Sequence, residues 1–196
     1  MQKIELEIVA LSHSITQSNS YAVILGEVNG LRRLPIVIGG FEAQAIAVAL
    51  ENMHPSRPLT HDLMKNFMTA FDIQLQEVYI CDLQEGIFYS KLVCFTANDT
   101  IEIDSRTSDA LALAVRFGCP IYVYANILEQ AGLANENAEK TITPTSITAD
   151  PVANDLTSMS LEELNKLLQE VLEQEDYIRA IDIRYEINKK NAQKKS

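Results

Sequence analysis

IDSRTSDALALAVRFGCPIYVY, residues 103–124, reads as the end of a strand, a helix and a second strand. The period of the pattern changes within it. Thr100–Asp104 alternates as a strand does, whereas Asp109–Phe117 carries Ala and Leu on a helical repeat. Thr107 or Ser108 offers an N-cap oxygen, and Asp109 falls in the first turn, where the helix dipole favours an anion. Gly118 stops the helix, Pro120 follows it, and Ile121–Tyr124 is a short apolar strand. A helix set between strands makes the fold mixed.

The same alternation extends upstream. Ile4, Leu6, Ile8 and Ala10 alternate with Lys3, Glu5, Glu7 and Val9, the pattern of a half-buried strand. Tyr21–Glu27 and Leu34–Ile38 flank Asn29-Gly30, a hairpin signal. Pro35 places the second of these strands at an edge or marks where it starts. Gly39-Gly40 breaks the chain before an Ala-rich helix over Glu42–Asn52. Thr60 is positioned to cap a helix over His61–Ala70, with Asp62 in its first turn. Ile73–Leu83, Ile87–Phe95 and Thr100–Asp104 form a strand meander with turns at Gln84-Glu85-Gly86 and Asn98-Asp99, and Asn126–Ala131 is a short helix. Residues 1–133 therefore read as an α+β domain, a mostly antiparallel sheet with packed helices.

Residues 134–158 are rich in Asn, Thr, Ser and Ala, contain two prolines and keep no period, which reads as a linker. Residues 159–193 then turn strongly helical. Ser160-Leu161-Glu162-Glu163 is a capping box, and Leu161, Leu164, Leu168 and Val171 form an apolar seam. Gln174-Glu175-Asp176 is a polar break before a second helix with Ile178, Ala180, Ile181, Ile183 and Ile187. Two short helices that cannot bury their seams alone fold back as a C-terminal α-helical hairpin and pair with another copy or a partner. Lys189, Lys190, Lys194 and Lys195 suit a helix C-terminus and read as a charged tail.

The 196 residues are 47% apolar and 22% charged, so a wholly disordered or collagen-like chain is excluded. Net charge is −11, and residues 1–133 alone hold 8 basic and 15 acidic residues. Such a protein does not hold nucleic acid by bulk charge; any nucleic-acid role rests on a local site. No apolar run is long enough to span a membrane, and the charged start of the chain does not read as a signal peptide. Cys81, Cys94 and Cys119 lie in apolar stretches without CxxC spacing, which points to buried reduced thiols in a cytoplasmic protein. No GxGxxG, Walker loop or GxSxG is present.

Three segments crowd polar residues at helix starts beside strand ends: residues 39–43, 57–63 and 103–110. Taken singly, each has an ordinary explanation. Asp62 and Asp109 suit a first helical turn, Arg57 and Arg106 suit a carboxylate or a helix end, and His61 suits a surface. Taken together, two arginines, a histidine and up to four carboxylates suit phosphate chemistry. Carboxylates hold a divalent cation, arginine grips an oxyanion and histidine moves a proton.

LPIVIGGFEAQAIAVALENMHPSRPLTHDLM (34–64), YICDLQEGIFYSKL (79–92) and residues 103–124, in this order, resemble the signature of the bifunctional nuclease domain family. The resemblance covers residues 1 to about 133. It implies a compact α+β domain that oligomerises, with DNase and RNase activity attributed to some members. The family's recurring polar positions fall here on Glu42, Arg57, Thr60, His61, Asp62, Asp82, Asp104, Arg106, Ser108 and Asp109. Ser105 and Thr107 depart from the usual Ala and Pro, and Asn52 from a common Gly. Residues 159–193 resemble the UVR motif, the helical hairpin of the excision-repair proteins UvrB and UvrC, with Tyr185 where an acidic residue is usual. That resemblance implies a protein-interaction element.

The expectation is a nuclease acting on DNA, RNA or both, assisted by Mg²⁺ or Mn²⁺. Glu42, Asp62, Asp104 and Asp109 are the candidate metal ligands. His61, with Asp62, Asp104 and Asp109, is the candidate catalytic set, and Arg57, Arg106, Thr60 and Ser108 are candidate substrate contacts. A homo-oligomer with a protein partner at 159–193 is expected, and no membrane association. The alternative is a non-enzymatic oligomeric scaffold or adaptor linked to repair or stress, which the acidity of residues 1–133 favours.

Overall fold

The computed structural model describes residues 2–13, 20–97, 99–134, 156–174 and 177–194. The chain divides into two compact units, Met1–Thr143 and Pro144–Ser196. The linker expected over 134–158 lies outside the described residues for 135–155.

Among the described residues, the first unit is one eight-stranded sheet with four helices. Its strands are β1 (Lys3–His13), β2 (Ser20–Glu27), β3 (Arg32–Gly39), β4 (Gln74–Gln84), β5 (Ile87–Phe95), β6 (Thr100–Arg106), β7 (Ile121–Tyr124) and the two-residue β8 (Leu133–Ala134). They lie in the order β6-β5-β4-β7-β1-β2-β3-β8. Every pair is antiparallel except β4 with β7. That exception follows from the strand–helix–strand unit of residues 103–124. Helix α3 (Thr107–Phe117) carries the chain from β6 back across β5 and β4 and delivers β7 beside β4.

The β2–β3 hairpin forms around Asn29-Gly30 as expected, as a four-residue connection, Val28–Leu31. Glu27 and Arg32 close it with a two-point ion pair at 2.7 and 3.0 Å. Pro35 pairs with Ile24 on one side, while β8 reaches only Arg32 and Arg33 on the other. Its missing N–H therefore falls on the open edge, where no ladder bond is lost.

Helices α1 (Gly40–Leu50), α2 (Thr60–Ala70) and α4 (Ala125–Ala131) complete the unit. Buried alanines meet between α1 (Ala43, Ala45, Ala47) and α3 (Ala110, Ala112, Ala114), so these two helices approach closely. Around them Leu25, Leu34, Ile46, Ile80, Leu92, Leu111 and Leu113 are almost wholly buried.

Two helix starts differ from expectation. Thr60 is not the cap of α2. Leu59 holds the N-cap position, and the Asp62 carboxylate accepts its N–H at 2.9 Å. Nor does Thr107 or Ser108 cap α3, because strand β6 runs straight into the helix with Arg106 at the N-cap position. The Thr107 hydroxyl turns inward instead, 2.7 Å from the Ser90 hydroxyl and donating to the Phe88 carbonyl at 2.9 Å. Gly118 ends α3 at φ 66°, a left-handed value suited to glycine.

The second unit holds α5 (Leu161–Glu173) packed on α6 (Tyr177–Lys194). The capping box is formed: the Ser160 hydroxyl accepts from the Glu163 N–H at 3.2 Å and Glu163 accepts from the Ser160 N–H at 2.7 Å. Leu164, Leu168 and Val171 of α5 and Ala180 and Ile183 of α6 are buried. Lys190 donates to the Thr157 carbonyl at 2.8 Å. Among the described residues no helix is long and apolar enough to cross a membrane.

Candidate functional site

Three helix starts meet in the first unit, two of them reached directly from strands β3 and β6. The start of α1 brings Phe41 and Glu42, the start of α2 brings Thr60 and His61, and the β6–α3 junction brings Asp104, Arg106 and Asp109. Together they line an open groove of about 840 Å³. A second hollow of about 580 Å³ adjoins it, between β3, the β4–β5 turn and residues 104–108. Glu42, Asp104, Ser105 and Arg106 line both. Strands β3 and β5 face one hollow although four strands separate them in the sheet, so the sheet is curled. That curl brings the junctions together.

Arg106 is the hub. Its Nε and Nη2 donate to Asp109 at 2.7 and 3.0 Å, and its Nη1 donates to Glu42 at 2.9 Å. The side chain is still 67% exposed. A guanidinium has five N–H donors, so two remain for another acceptor. Asp109 and then Glu42 push the Arg106 pKa upward, so it is a permanent cation. Asp109 also takes the His61 Nε2 at 3.1 Å. Burial pulls the Asp109 carboxyl up, but Arg106 and His61 outweigh it and hold the group below its ordinary range. An ionised carboxylate only accepts, so Nε2 of a neutral His61 carries the proton and Nδ1 keeps the lone pair. Gly39 matters to the hub. A Cβ there would run into a Glu42 carboxylate oxygen and displace that carboxylate.

The remaining predicted residues are placed differently. Asp62 turns from the groove to Arg116, whose Nε lies 2.6 Å from it. Asp104 is exposed on the groove wall. Ser108 is buried and lines the second hollow. Arg57 is exposed on the loop before α2 and is not among the residues lining the groove. Asp82 caps its own neighbourhood, accepting from the Leu83 N–H and the Gln84 amide. Among the described residues no group of three or more His, Cys, Asp or Glu side chains is placed to hold a metal ion. Arg106 already occupies Glu42 and Asp109, one cation shared by two carboxylates, and Arg116 is paired with Asp62. As they stand, the four carboxylates do not fit a divalent cation.

Arg116 is a residue the sequence reading missed. Its side chain is 4% exposed. Besides Asp62 of α2, it donates to the Ala45 carbonyl of α1 at 2.8 Å and to Ala112 of its own helix at 2.9 Å. It thus ties together the helices that carry Glu42, His61 and Asp109. A charge interrupting the apolar run of α3, seven residues after Asp109 and so on the same face, was the available signal. The three cysteines are free; Cys94 is buried, Cys81 and Cys119 half-buried. Burial raises all three thiols, Cys119 to about 11, so none is a ready nucleophile.

A family model described as the bifunctional nuclease domain matches residues 23–136. An uncharacterized protein of Mycobacterium tuberculosis is 44% identical over 134 residues, which are 68% of this chain and 80% of that one. Bifunctional nuclease 1 of Oryza sativa subsp. indica is 27% identical over 103 residues, 51% of this chain and 31% of the rice protein. Bifunctional nuclease 2 of Oryza sativa subsp. japonica is 25% identical over 103 residues, 51% of this chain and 32% of its own.

Proposed function

This chain belongs to the bifunctional nuclease domain family, and from that premise we propose that it hydrolyses phosphodiester bonds of DNA, RNA or both in the groove around Arg106. The observation that carries the reading is the chain of contacts His61–Asp109–Arg106–Glu42 across three converged junctions. Asp109 orients His61. His61 Nδ1 takes a proton from water, and the water oxygen bonds to phosphorus as the phosphorus–oxygen bond to the leaving group breaks. The two uncommitted Arg106 N–H groups receive the phosphoryl oxygens, where charge builds in the transition state. Thr60 offers a hydroxyl to a strand in the groove and Ser108 lines the adjoining hollow, while Arg57 offers an exposed cation on the loop before α2. Assistance by Mg²⁺ or Mn²⁺ requires Arg106 first to release Glu42 or Asp109, with Asp104 beside them.

The test is turnover of labelled single- and double-stranded DNA and RNA by the purified chain in EDTA, Mg²⁺ and Mn²⁺. His61→Asn and Asp109→Asn lower turnover about 10²–10⁴-fold, the span of general-base catalysis. Wild-type rates in both variants would remove the assignment. Cleavage undiminished in EDTA would remove the metal.

A second reading, an oligomeric scaffold, draws on Leu63 and Phe67 of α2 and Phe71 at its C-cap, which project into solvent at four-residue spacing. In either case we assign α5–α6 to a protein contact of the UVR type, by its sequence resemblance. The free thiols suit a reducing, cytoplasmic setting.

A further inference from the structure

The groove around Arg106 is poor in cations. Among the described residues Arg106 is the one Lys or Arg that lines it, alongside the carboxylates of Glu42, Asp104 and Asp109. Proteins that grip duplex nucleic acid by its backbone do so with many phosphate contacts, typically six to ten. One guanidinium already shared by two carboxylates does not replace them. If nucleic acid binds here, most of the binding free energy comes from somewhere other than charge.

The walls supply that alternative. Phe41, beside Glu42 at the start of α1, is 84% exposed, the most exposed large apolar side chain among the described residues. Met64 and Ile103, on the same groove, are 38% and 43% exposed. An aromatic face offered to solvent next to the phosphate-binding donor is the arrangement on which an unpaired base stacks. A base inside a duplex has both faces covered and cannot use it.

We propose that Phe41 is a base-stacking residue and that it makes the groove selective for single-stranded nucleic acid, with Arg106 holding one phosphate beside the stacked base. The inference rests on the nuclease reading for its choice of ligand, but it concerns binding, which is measured without cleavage. It also carries a signature that charge-driven binding does not share, because stacking is nearly independent of salt.

The experiment uses the full chain and a fluorescein-labelled phosphorothioate DNA hexanucleotide that resists hydrolysis. The same backbone without bases and the corresponding duplex are the comparisons. Affinity falls in the order single strand, duplex, abasic strand. Phe41→Ala weakens the single strand roughly ten- to hundredfold, and Phe41→Trp retains it. The slope of log affinity against log salt is about −0.7, the value for one phosphate on a single strand. Several results overturn the proposal: equal binding of duplex or abasic strand, an unaffected Phe41→Ala, or a slope of about −4 or steeper. Tighter binding of a lysine-rich peptide overturns it by naming another ligand. Dissociation of an oligomer by Phe41→Ala overturns it by placing the ring in a protein contact. Hydrolysis of the unmodified strand is followed in parallel. Cleavage that ignores Phe41 sinks the stacking role alone, and Phe41-dependent binding without cleavage sinks the nuclease reading alone.

Discussion

Helices α2 and α3 both deliver a side chain to the groove, but they are held in opposite ways. Helix α3 buries Thr107, Ser108 and the whole run Ala110–Ala114. Helix α2 buries Met68 and turns Leu63, Met64 and Phe67 outward, as does Phe71 at its C-cap. Its inward ties are polar: His61 to Asp109, Asp62 to Arg116, and Lys65 to the Arg116 carbonyl. Asp109 is therefore placed by packing, which is stiff and insensitive to pH, whereas His61 is placed by polar contacts, which are directional and include the Asp62–Arg116 ion pair. The hydrogen bond that joins them couples a rigid half of the site to an adjustable half.

The largest effect belongs to the packed half. Leu111 is 1% exposed at the centre of α3, and Leu111→Ala is expected to cost about 3–5 kcal/mol in urea unfolding. A cost below about 1 kcal/mol would mean that packing does not fix α3. Mutating the outward residues of α2 has no comparable effect on stability, and that asymmetry is the quantitative form of the contrast.

The polar half answers to acid. Burial raises the Asp62 carboxyl, but Arg116, the Leu59 N–H and His61 together overcome this and set it below the ordinary carboxylate range. A folded-state pKa below the unfolded one, about 3.9, stabilises the native state at every pH above that value. The contribution disappears as pH falls through the folded-state pKa. Asp62→Asn is then less stable than wild type by about 2 kcal/mol at pH 7, and the gap closes in acid, below the unfolded-state value of about 3.9. Unfolding midpoints measured from pH 7 downward check this. A gap that stays constant would mean that Asp62 acts by shape and not by charge.

The difference between the helices also explains what the sequence disclosed. Features set by local chemistry were legible: the strand periods, the Asn29-Gly30 hairpin, the stop at Gly118 and the Ser160 capping box. Helix α3 was legible as a helix because its apolar repeat is the one its packing uses. The starts of α2 and α3 were misread because a hydroxyl near a helix start normally caps it. Here the Asp62 carboxylate serves α2, and the pull of Ser90 and Phe88 draws Thr107 into the core. Glu42, His61, Asp104, Arg106 and Asp109 stand at or beside helix starts in the sequence, and all five line one groove. Their meeting depends on the curl of the sheet, which no local pattern encodes. The turning of Asp62 to Arg116 depends on how α2 crosses α3, so its departure from the groove was not readable.

The smallest effect on stability is the one that decides what the outward face of α2 is for. Leu63, Phe67 and Phe71 lie on one stripe, and the Phe67 and Phe71 rings touch at 4.7 Å between centroids. A polar-anchored helix that presents three large apolar side chains to water suits a contact with a second copy of the chain, the homo-oligomer that the family resemblance implies. Phe67→Glu puts a charge at the middle of the stripe without touching Met68, Asp62 or Arg116. Monomer stability is expected to stay within about 0.5 kcal/mol, since the side chain is exposed. Sedimentation equilibrium reads the other consequence: an assembly built on this stripe dissociates in Phe67→Glu and stays intact in Leu111→Ala at temperatures where that variant is folded. An assembly unchanged by Phe67→Glu, or a wild-type monomer at every concentration, means that the stripe covers no second copy. In that case the polar ties that turn α2 apolar side out serve the placement of His61 and nothing else.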